Sequence, residues 1–423
     1  MNTPSTTSPH TPDSPPPSPS NLSVARARAL ILDQLSAVSG WERVAVRDAL
    51  GRVLAEDVIA PYNVPAHDNS AMDGYAFRYQ DVSADTDTRL AVVGTAFAGK
   101  PFSGIVSAGQ AVRIMTGAPI PQGADTIAPQ ETTRTDEHGV LIPAGVHAGQ
   151  HLRKAGEDLT LGGVAIPAGR RCGPAELGLA ASLGIAEVSV RRRLRVAFFS
   201  TGDELASIGK PLAPGEIYDS NRYTLYGVLT RLGCELIDMG VIRDRPEAIE
   251  AAFRDAAENA DVILTSGGVS VGEADFIREL VNRMGRVDFW KLAIKPGRPM
   301  AFGKVGNAWM FGLPGNPVAV LVTFYQFVRD ALLKLEGMHP IPEVVLFGAR
   351  CADTIRKRPG RREFLRGRLE YVDGQSRVSL TGAQGSGILK SMSDANCFIV
   401  LTEECGDVAP GDSVLVQMFD GLI

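Results

Sequence analysis

Hydrophobic and polar positions along the chain follow three different rhythms. Residues 22–38 place Leu22, Ala25, Ala29, Leu32 and Leu35 at helical spacing, which predicts an amphipathic helix opening the folded part. A shorter pattern over 44–60 brings Ala49 and Leu50 up to Gly51, as at a helix C-terminus. From about residue 90 to 143 the runs LAVVGTAF, QAVRIMTG, DTIAPQET and HGVLIPAG alternate with Gly, Pro and Asp turns, predicting a small all-β module. Pro174 suits the first turn of a helix over 174–183. From Leu194 the rhythm changes again. Apolar runs LRVAFFS, CELIDMGVI, DVILTSGG, VDFWKLAI and AWMFGLPG are separated by helical stretches over 221–232, 246–259 and 274–284, and a long helix follows over 317–335. Fully apolar strands between helices predict a parallel sheet covered on both faces. Beyond Pro340 only short strands with Gly turns remain, hence a small β domain.

The predicted fold class is therefore α/β plus β, in several domains. A parallel-sheet α/β domain occupies 191–340 and a small β domain 341–423. An elongated helical and β domain is discontinuous, over 21–60 and 146–190, with a β module over 61–145 inserted into it. Residues 1–20 contain 16 Pro, Ser or Thr and no large hydrophobe after Met1, so they are expected to stay disordered.

In an open parallel sheet, ligands bind beyond the carboxyl ends of the strands. Those ends carry Ser200-Thr201-Gly202-Asp203-Glu204, then Arg243-Asp244, then SGGVSVGEAD from Ser266 to Asp275. Lys291, Lys295, Pro296, Gly297 and Arg298 follow, and LPGNP opens the last helix. A Gly-rich loop running into a helix offers backbone N–H groups and the positive end of the helix dipole to an anion. Lysine and arginine add full charges suited to an oxyanion. Glu204, Asp244 and Asp275 are hard oxygen donors that suit Mg²⁺. Together they point to a phosphate-linked bond broken with magnesium assistance. Each piece alone has a plainer reading, since TGDE and SGG are common turns and KPGRP is an ordinary solvated loop. Neither Walker A nor GxGxxG occurs. Outside the sheet, His67 to Tyr75 (HDNSAMDGY), Met115 to Ala118, and Arg153 with Gly156-Glu157-Asp158 are polar clusters whose default reading is structural.

Composition narrows the partners. With 43 Lys and Arg against 48 Asp and Glu, the net charge of −5 gives no basic excess for nucleic acid. No apolar run approaches the ~20 residues that span a bilayer, so no membrane is expected. Five scattered cysteines without a CxxC pair suit a reducing cytoplasm rather than a disulfide framework or zinc cage.

The motifs HDNSAMDGYA, RIMTGAPIPQGADTIAPQE, FSTGDEL, GEIYDSNRY, SGGVSVGEADF, FWKLAIKPGRP and LPGNPVAV, in this order, closely resemble the MoeA family. These are molybdopterin molybdenumtransferases, and gephyrin's C-terminal domain is similar to them. The resemblance covers everything from about Leu22 onward. It implies Mg²⁺-dependent insertion of molybdate into adenylylated molybdopterin, with release of AMP and molybdenum cofactor. It also implies a cytoplasmic homodimer whose active site lies between the α/β molybdopterin-binding domain of one subunit and the DNSAMDGYA module of the other. Molybdopterin adenylyltransferase and molybdoenzyme-maturation proteins are the partners it implies.

By motif, Asp68 and Thr116 resemble functional positions on the second domain, and Arg153 and Asp158 resemble the pair near GED. Glu204, Asp244 and Asp275 resemble the acidic set, with Asp275 first for magnesium and pyrophosphate-bond chemistry. Ser266, Gly267, Gly268 and Ser270 belong to the Gly-rich loop. Lys291, Lys295, Pro296 and Arg298 lie in the segment resembling the molybdate and pterin-phosphate site. Arg366 and Ser386 are the counterparts of an Arg and a Ser that help hold molybdate. His67 stands where the family has an aromatic residue, and Glu216 where it often has Gln. Two other readings compete: the preceding adenylylation step, whose enzyme resembles 191–340 alone, and a gephyrin-like scaffold without catalysis.

Overall fold

Residues 20–267 and 274–422 are described by this computed structural model. The chain folds as two compact units. The larger takes residues 190–423, the first 42 residues and the short piece Gly51–Val53. The smaller takes Arg43–Leu50 and Leu54–Ser189.

Numbering only the elements around its central sheet, the larger unit has strands β1 (Ser20–Leu22), β2 (Arg195–Thr201), β3 (Glu235–Ile242), β4 (Val262–Ser266), β5 (Gly285–Leu292), β6 (Pro299–Val305) and β7 (Ala308–Leu313). Its helices are α1 (Val24–Gln34), α2 (Ser220–Leu232), α3 (Pro246–Asn259), α4 (Ala274–Met284), α5 (Pro317–Thr323) and α6 (Arg329–Leu335). The strands are ordered β1-β5-β6-β7-β4-β2-β3. Alternate residues of β2 serve opposite faces: Val196 and Phe198 join the core that holds α2 and α5, while Ala197 and Phe199 join the one that holds α3 and α4. Phe199 meets Phe253 edge-on at 5.3 Å between ring centroids.

Three expectations change here. The sheet is mixed, not fully parallel: β7, β4, β2 and β3 run parallel, whereas β5, β6 and β7 form an antiparallel meander. Only two residues join β6 to β7, with Gly306 at φ +56°, and a parallel crossover needs a dozen or more. Strand β6 itself is hidden in the sequence because it starts at Pro299, inside what reads as a turn. Second, α1 buries Val24, Ala27 and Ile31, while Ala25, expected on the apolar face, is exposed; the buried side chains join the core of the larger unit. The larger β-branched side chains Val24 and Ile31 select the buried face. Third, the 44–60 pattern is no helix beyond a single 3₁₀ turn, Val46–Ala49, after strand Trp41–Ala45. The expected tail lies outside the described residues except Ser20, which is in a strand paired with β5.

The long helix over 317–335 is present, with a π-turn, Phe324–Val328, between α5 and α6. Beyond it, strands Phe347–Cys351, Arg362–Val372, Gln375–Leu380, Cys397–Leu401 and Ser413–Met418 close on themselves, because Arg362–Val372 pairs with both Gln375–Leu380 and Cys397–Leu401. Closure removes exposed edges from this small barrel-like domain. One more strand joins it from the α/β part: Ile294–Lys295 pairs in parallel with Arg362–Val372, placing Lys295 opposite Glu363. Backbone pairing therefore fixes the barrel beside the KPGRP loop.

In the smaller unit, six strands are ordered Thr126–Pro129, Gly74–Phe77, Gln110–Ile114, Thr88–Ala96, Gly139–Ile142, Arg134–Asp136. Strand Asn69–Ser70 pairs with Leu152–Arg153, which brings DNSAMDGYA beside RKAGED. Among the described residues, no helix is long and apolar enough to cross a membrane.

Candidate active site

The carboxyl ends of β2, β4 and β7 open into a cavity of about 540 Å³. Thr201, Gly202 and Glu204 come from the first, Ser266 and Gly267 from the second, and Gly315 and Asn316 from the third; Asp244 after β3 completes the rim. Gly267 sits at φ +94°, and a Cβ there would come within 2.7 Å of the Thr201 carbonyl oxygen. Only glycine lets these two loops approach so closely.

Five residues of the cavity, Ile217 to Asn221, belong to the GEIYDSNRY motif, and two of them, to which the motif assigns no role, hold the loops in place. Asp219 is buried, caps α2 by accepting from Arg222 N–H at 3.2 Å, and accepts from Ser200 Oγ at 2.9 Å. Asn221 Nδ2 donates to Ser266 Oγ at 2.7 Å and to the Gly315 carbonyl at 2.6 Å, tying together the loops after β4 and β7. An Asp-Ser-Asn run at a predicted helix start is the signal that would have found them. Among the described residues, Thr201 Oγ1, Asp219 Oδ2 and Asn221 Oδ1 are buried at this cavity wall without a hydrogen-bond partner. Buried polar atoms are ordinarily paired, so these three leave hydrogen-bonding capacity that a polar ligand at this wall could meet.

Glu204 and Asp244 line this cavity and are exposed to it. Asp275 belongs to the first turn of α4, but its side chain lies outside the described residues, as do Gly268 and Ser270. Among the described residues no three metal-ligating side chains form a cluster. The two carboxylates are hard oxygen donors at one rim, a donor set that fits Mg²⁺.

A second cavity, of about 430 Å³, shares the Gly315-Asn316 wall with the first. Lys295, Arg298, Arg361 and Arg366 bring four cationic side chains to it, alongside Pro296, Gln384 and Ser386. Lys295 Nζ lies 3.1 Å from Glu363 Oε2, a buried carboxylate behind the wall. Arg366 is fully buried yet, among the described residues, meets no carboxylate. Its Nε donates to Ser391 Oγ at 2.9 Å, and one Nη donates to the Gly385 carbonyl at 2.9 Å and the Ala383 carbonyl at 3.4 Å. The other, Nη1, is buried without a partner. Burial pulls the guanidinium down to about 10, which still leaves it charged at neutral pH. Gln384 grips the Arg366 backbone, accepting from its N–H at 2.8 Å and donating to its carbonyl at 3.2 Å. Arg361 falls outside every motif that carries the resemblance. Lys291 is exposed on β5 opposite Ser20 and lines neither cavity.

The smaller unit places its four candidates on neighbouring loops. Asp68 accepts from Lys154 Nζ at 2.9 Å and from Ala155 N–H at 2.8 Å, and these bonds lower its carboxyl below the ordinary range. Thr116 is held by Asp73, whose Oδ1 accepts from both its N–H and its hydroxyl at 2.7 Å. Those two bonds lower Asp73 in turn. Arg153 lies 3.2 Å from Glu157, and Asp158 N–H donates to the Val64 carbonyl at 3.0 Å. Lys154 and Asp73 are partners that the motifs alone do not single out.

A mixed α/β sheet with a cationic cavity beside a carboxylate-rimmed one, carried on a multidomain chain, defines a class of α/β protein whose site suits anionic ligands. Comparison with known proteins gives the family. The MoeA N-terminal region (domain I and II) matches residues 22–184, the "Probable molybdopterin binding domain" matches 197–334, and the MoeA C-terminal region (domain IV) matches 348–419. A molybdopterin molybdenumtransferase of Haemophilus influenzae is 45% identical over 405 residues, covering 95% of this chain and 100% of that protein. One from a Nostoc species is 36% identical, covering 95% and 94%. The crystal structure of a molybdopterin biosynthesis moeA protein from Pyrococcus horikoshii superposes with a TM-score of 0.80 at 29% identity, covering 94% of this chain and all of that one. The chain belongs to the MoeA family, and it is an enzyme.

Proposed function

We propose that this enzyme inserts molybdate into adenylylated molybdopterin with Mg²⁺, releasing AMP and molybdenum cofactor, and that it works as a cytoplasmic homodimer. The observation that carries the reading is Arg366: a buried cation, orphaned at Nη1, on the wall of a cavity with four cationic side chains. Such a group is strongly destabilised unless an anion completes it. Molybdate is the tetrahedral oxyanion that the relatives' name implies, with Lys295, Arg298, Arg366 and Ser386 as its proposed contacts. The adjoining cavity takes the nucleotide-linked pterin, its polar atoms meeting Thr201, Ser266, Gly267 and Asn221. Glu204, Asp244 and Asp275 are assigned to Mg²⁺, which would offset charge on the phosphate bond. The DNSAMDGYA loop, with Asp68 and Thr116, and the following Arg153 and Asp158, are assigned to the partner subunit's side of the site. The domain division over 21–60 with 146–190, 61–145, 191–340 and 341–423 belongs to the same reading. The adenylylation step would need neither the 22–184 region nor the C-terminal barrel, and both match the MoeA family along their length.

The test is reconstitution from adenylylated molybdopterin, Mg²⁺ and molybdate, following AMP and cofactor. Wild-type protein should release both. Asp275→Asn should fold normally, judged by its melting curve, and release AMP at least ~100-fold more slowly. Wild-type rates in that variant would remove Asp275 from the chemistry.

A further inference from the structure

We propose that the second cavity selects tetrahedral dianions that carry no proton, and that it discriminates against hydrogen phosphate. The inference rests on the assignment of that cavity to molybdate and deepens it by naming the class of anion admitted. Its basis is the chemistry of the wall. Lysine and arginine can only donate hydrogen bonds. Among the described residues, no carboxylate lines the cavity. The carboxylate paired with a lining residue, Glu363, is 4% exposed and turns both oxygens to Lys295 Nζ, at 3.1 and 3.3 Å.

Three polar acceptors of the wall already take a bond. The Gly385 carbonyl takes a bond from Arg366, the Ser386 carbonyl one from Val318 N–H at 3.0 Å, and the Gln384 Oε1 one from Arg366 N–H. Arg366 itself is oriented by neutral acceptors only, Ser391 Oγ and two carbonyls, so its charge reaches the cavity undiminished.

Molybdate, tungstate and sulfate are fully deprotonated near neutral pH and present acceptors on every corner. Hydrogen phosphate has nearly the same shape and charge but keeps one O–H. In this cavity that O–H faces four cationic donors and, among the described residues, no carboxylate that would accept it, so only weaker neutral acceptors such as Ser386 and Asn316 are left to it. A site that leaves a polar group unpaired rejects its ligand strongly, whereas size alone discriminates weakly between close isosteres. Selection by proton count thus keeps an abundant cellular anion out without any ligand bond to the metal atom.

The experiment uses the full chain and sodium molybdate as the probe, with binding followed by calorimetry at pH 8 and displacement by sodium tungstate, sulfate and phosphate. Tungstate and sulfate should displace molybdate at concentrations within about tenfold of each other, and phosphate should need at least about tenfold more than sulfate. Gln384→Glu sets a carboxylate in the wall; it should weaken molybdate and sulfate more than phosphate and so narrow the gap. Phosphate displacing as well as sulfate from a site that Arg366→Met abolishes would overturn the selectivity and leave the site assignment standing. Molybdate binding that survives Arg366→Met, or no molybdate binding by wild type, would overturn the site assignment itself.

Discussion

A guanidinium enclosed by protein and given only neutral acceptors is an unusual arrangement, and at Arg366 it is built from several sides. Ser391, 2% exposed on the short helix Leu389–Asp394, accepts from Nε and donates its own hydroxyl hydrogen bond to the Ile388 carbonyl at 2.6 Å. A carboxylate at that place would hold the arginine at least as well and would cancel its charge. Ser391 is therefore a positioning residue, acting through Arg366. Ser391→Ala leaves Nε unpaired and should raise the molybdate concentration for half-maximal AMP release about tenfold, with little change in the rate at saturation. A fall in the saturated rate with no shift in molybdate dependence would contradict that role. The sequence offers Arg361, Arg362, Arg366 and Arg368 in one short run, and the resemblance, which points to Arg366, leaves several arginines to choose from. The structure supplies the reason: Arg362 is paired with Glu403 and Arg368 with Glu370, while Arg366 meets no acid and Arg361 faces the same cavity. Neither burial nor pairing across 25 residues is visible in a run of like charges.

Strands and helices were legible where the hydrophobic rhythm was long, and less so where short turns decided direction. Helices α3 and α4 lie where the sequence places them, and the apolar strands around them form the parallel half of the sheet. Direction in the β5-β6-β7 meander depends on a two-residue turn and a strand that begins with proline, neither of which alters the apolar pattern. Asp261, immediately before β4, shows what aligns the parallel half. Its carboxylate receives both Arg192 Nη atoms at 2.7 Å and Arg195 N–H at 2.9 Å, linking the starts of β2 and β4. Burial alone would raise its carboxyl, but the Arg192 bonds and the Arg195 N–H outweigh it and hold the group below the usual carboxylate value. A depressed folded value means the contribution to stability is full above the unfolded carboxylate range and is lost as pH falls through the folded one. Asp261→Asn should therefore cost about 2 kcal/mol at pH 7 and progressively less in acid, as denaturant titrations at pH 7 and pH 3 would reveal. Equal losses at both pH values would mean that the pair contributes only shape.

Across the whole molecule, the net charge of −5 hides its own exception. Cationic side chains gather at one cavity while carboxylates rim its neighbour, and the shared Gly315-Asn316 wall keeps the two charge environments adjacent. Two pieces of chain far apart in sequence make this arrangement: the KPGRP loop after β5 and the C-terminal barrel, joined by the Lys295–Glu363 pairing. The sequence located the residues through motif order, yet it did not show that they form two cavities rather than one, because the dividing wall is backbone. Lys291 illustrates the converse, a charge in the right motif whose strand position leaves it outside both cavities. The central claim is that the cationic cavity receives molybdate while its neighbour holds the nucleotide-linked pterin. AMP release from adenylylated molybdopterin, measured against molybdate concentration in wild type and Arg366→Met, tests it most directly. Methionine fills the buried space without charge, so the fold should persist. The account predicts that the variant needs at least about tenfold more molybdate while its affinity for adenylylated molybdopterin is unchanged. A molybdate curve in Arg366→Met that overlays the wild-type curve would contradict it.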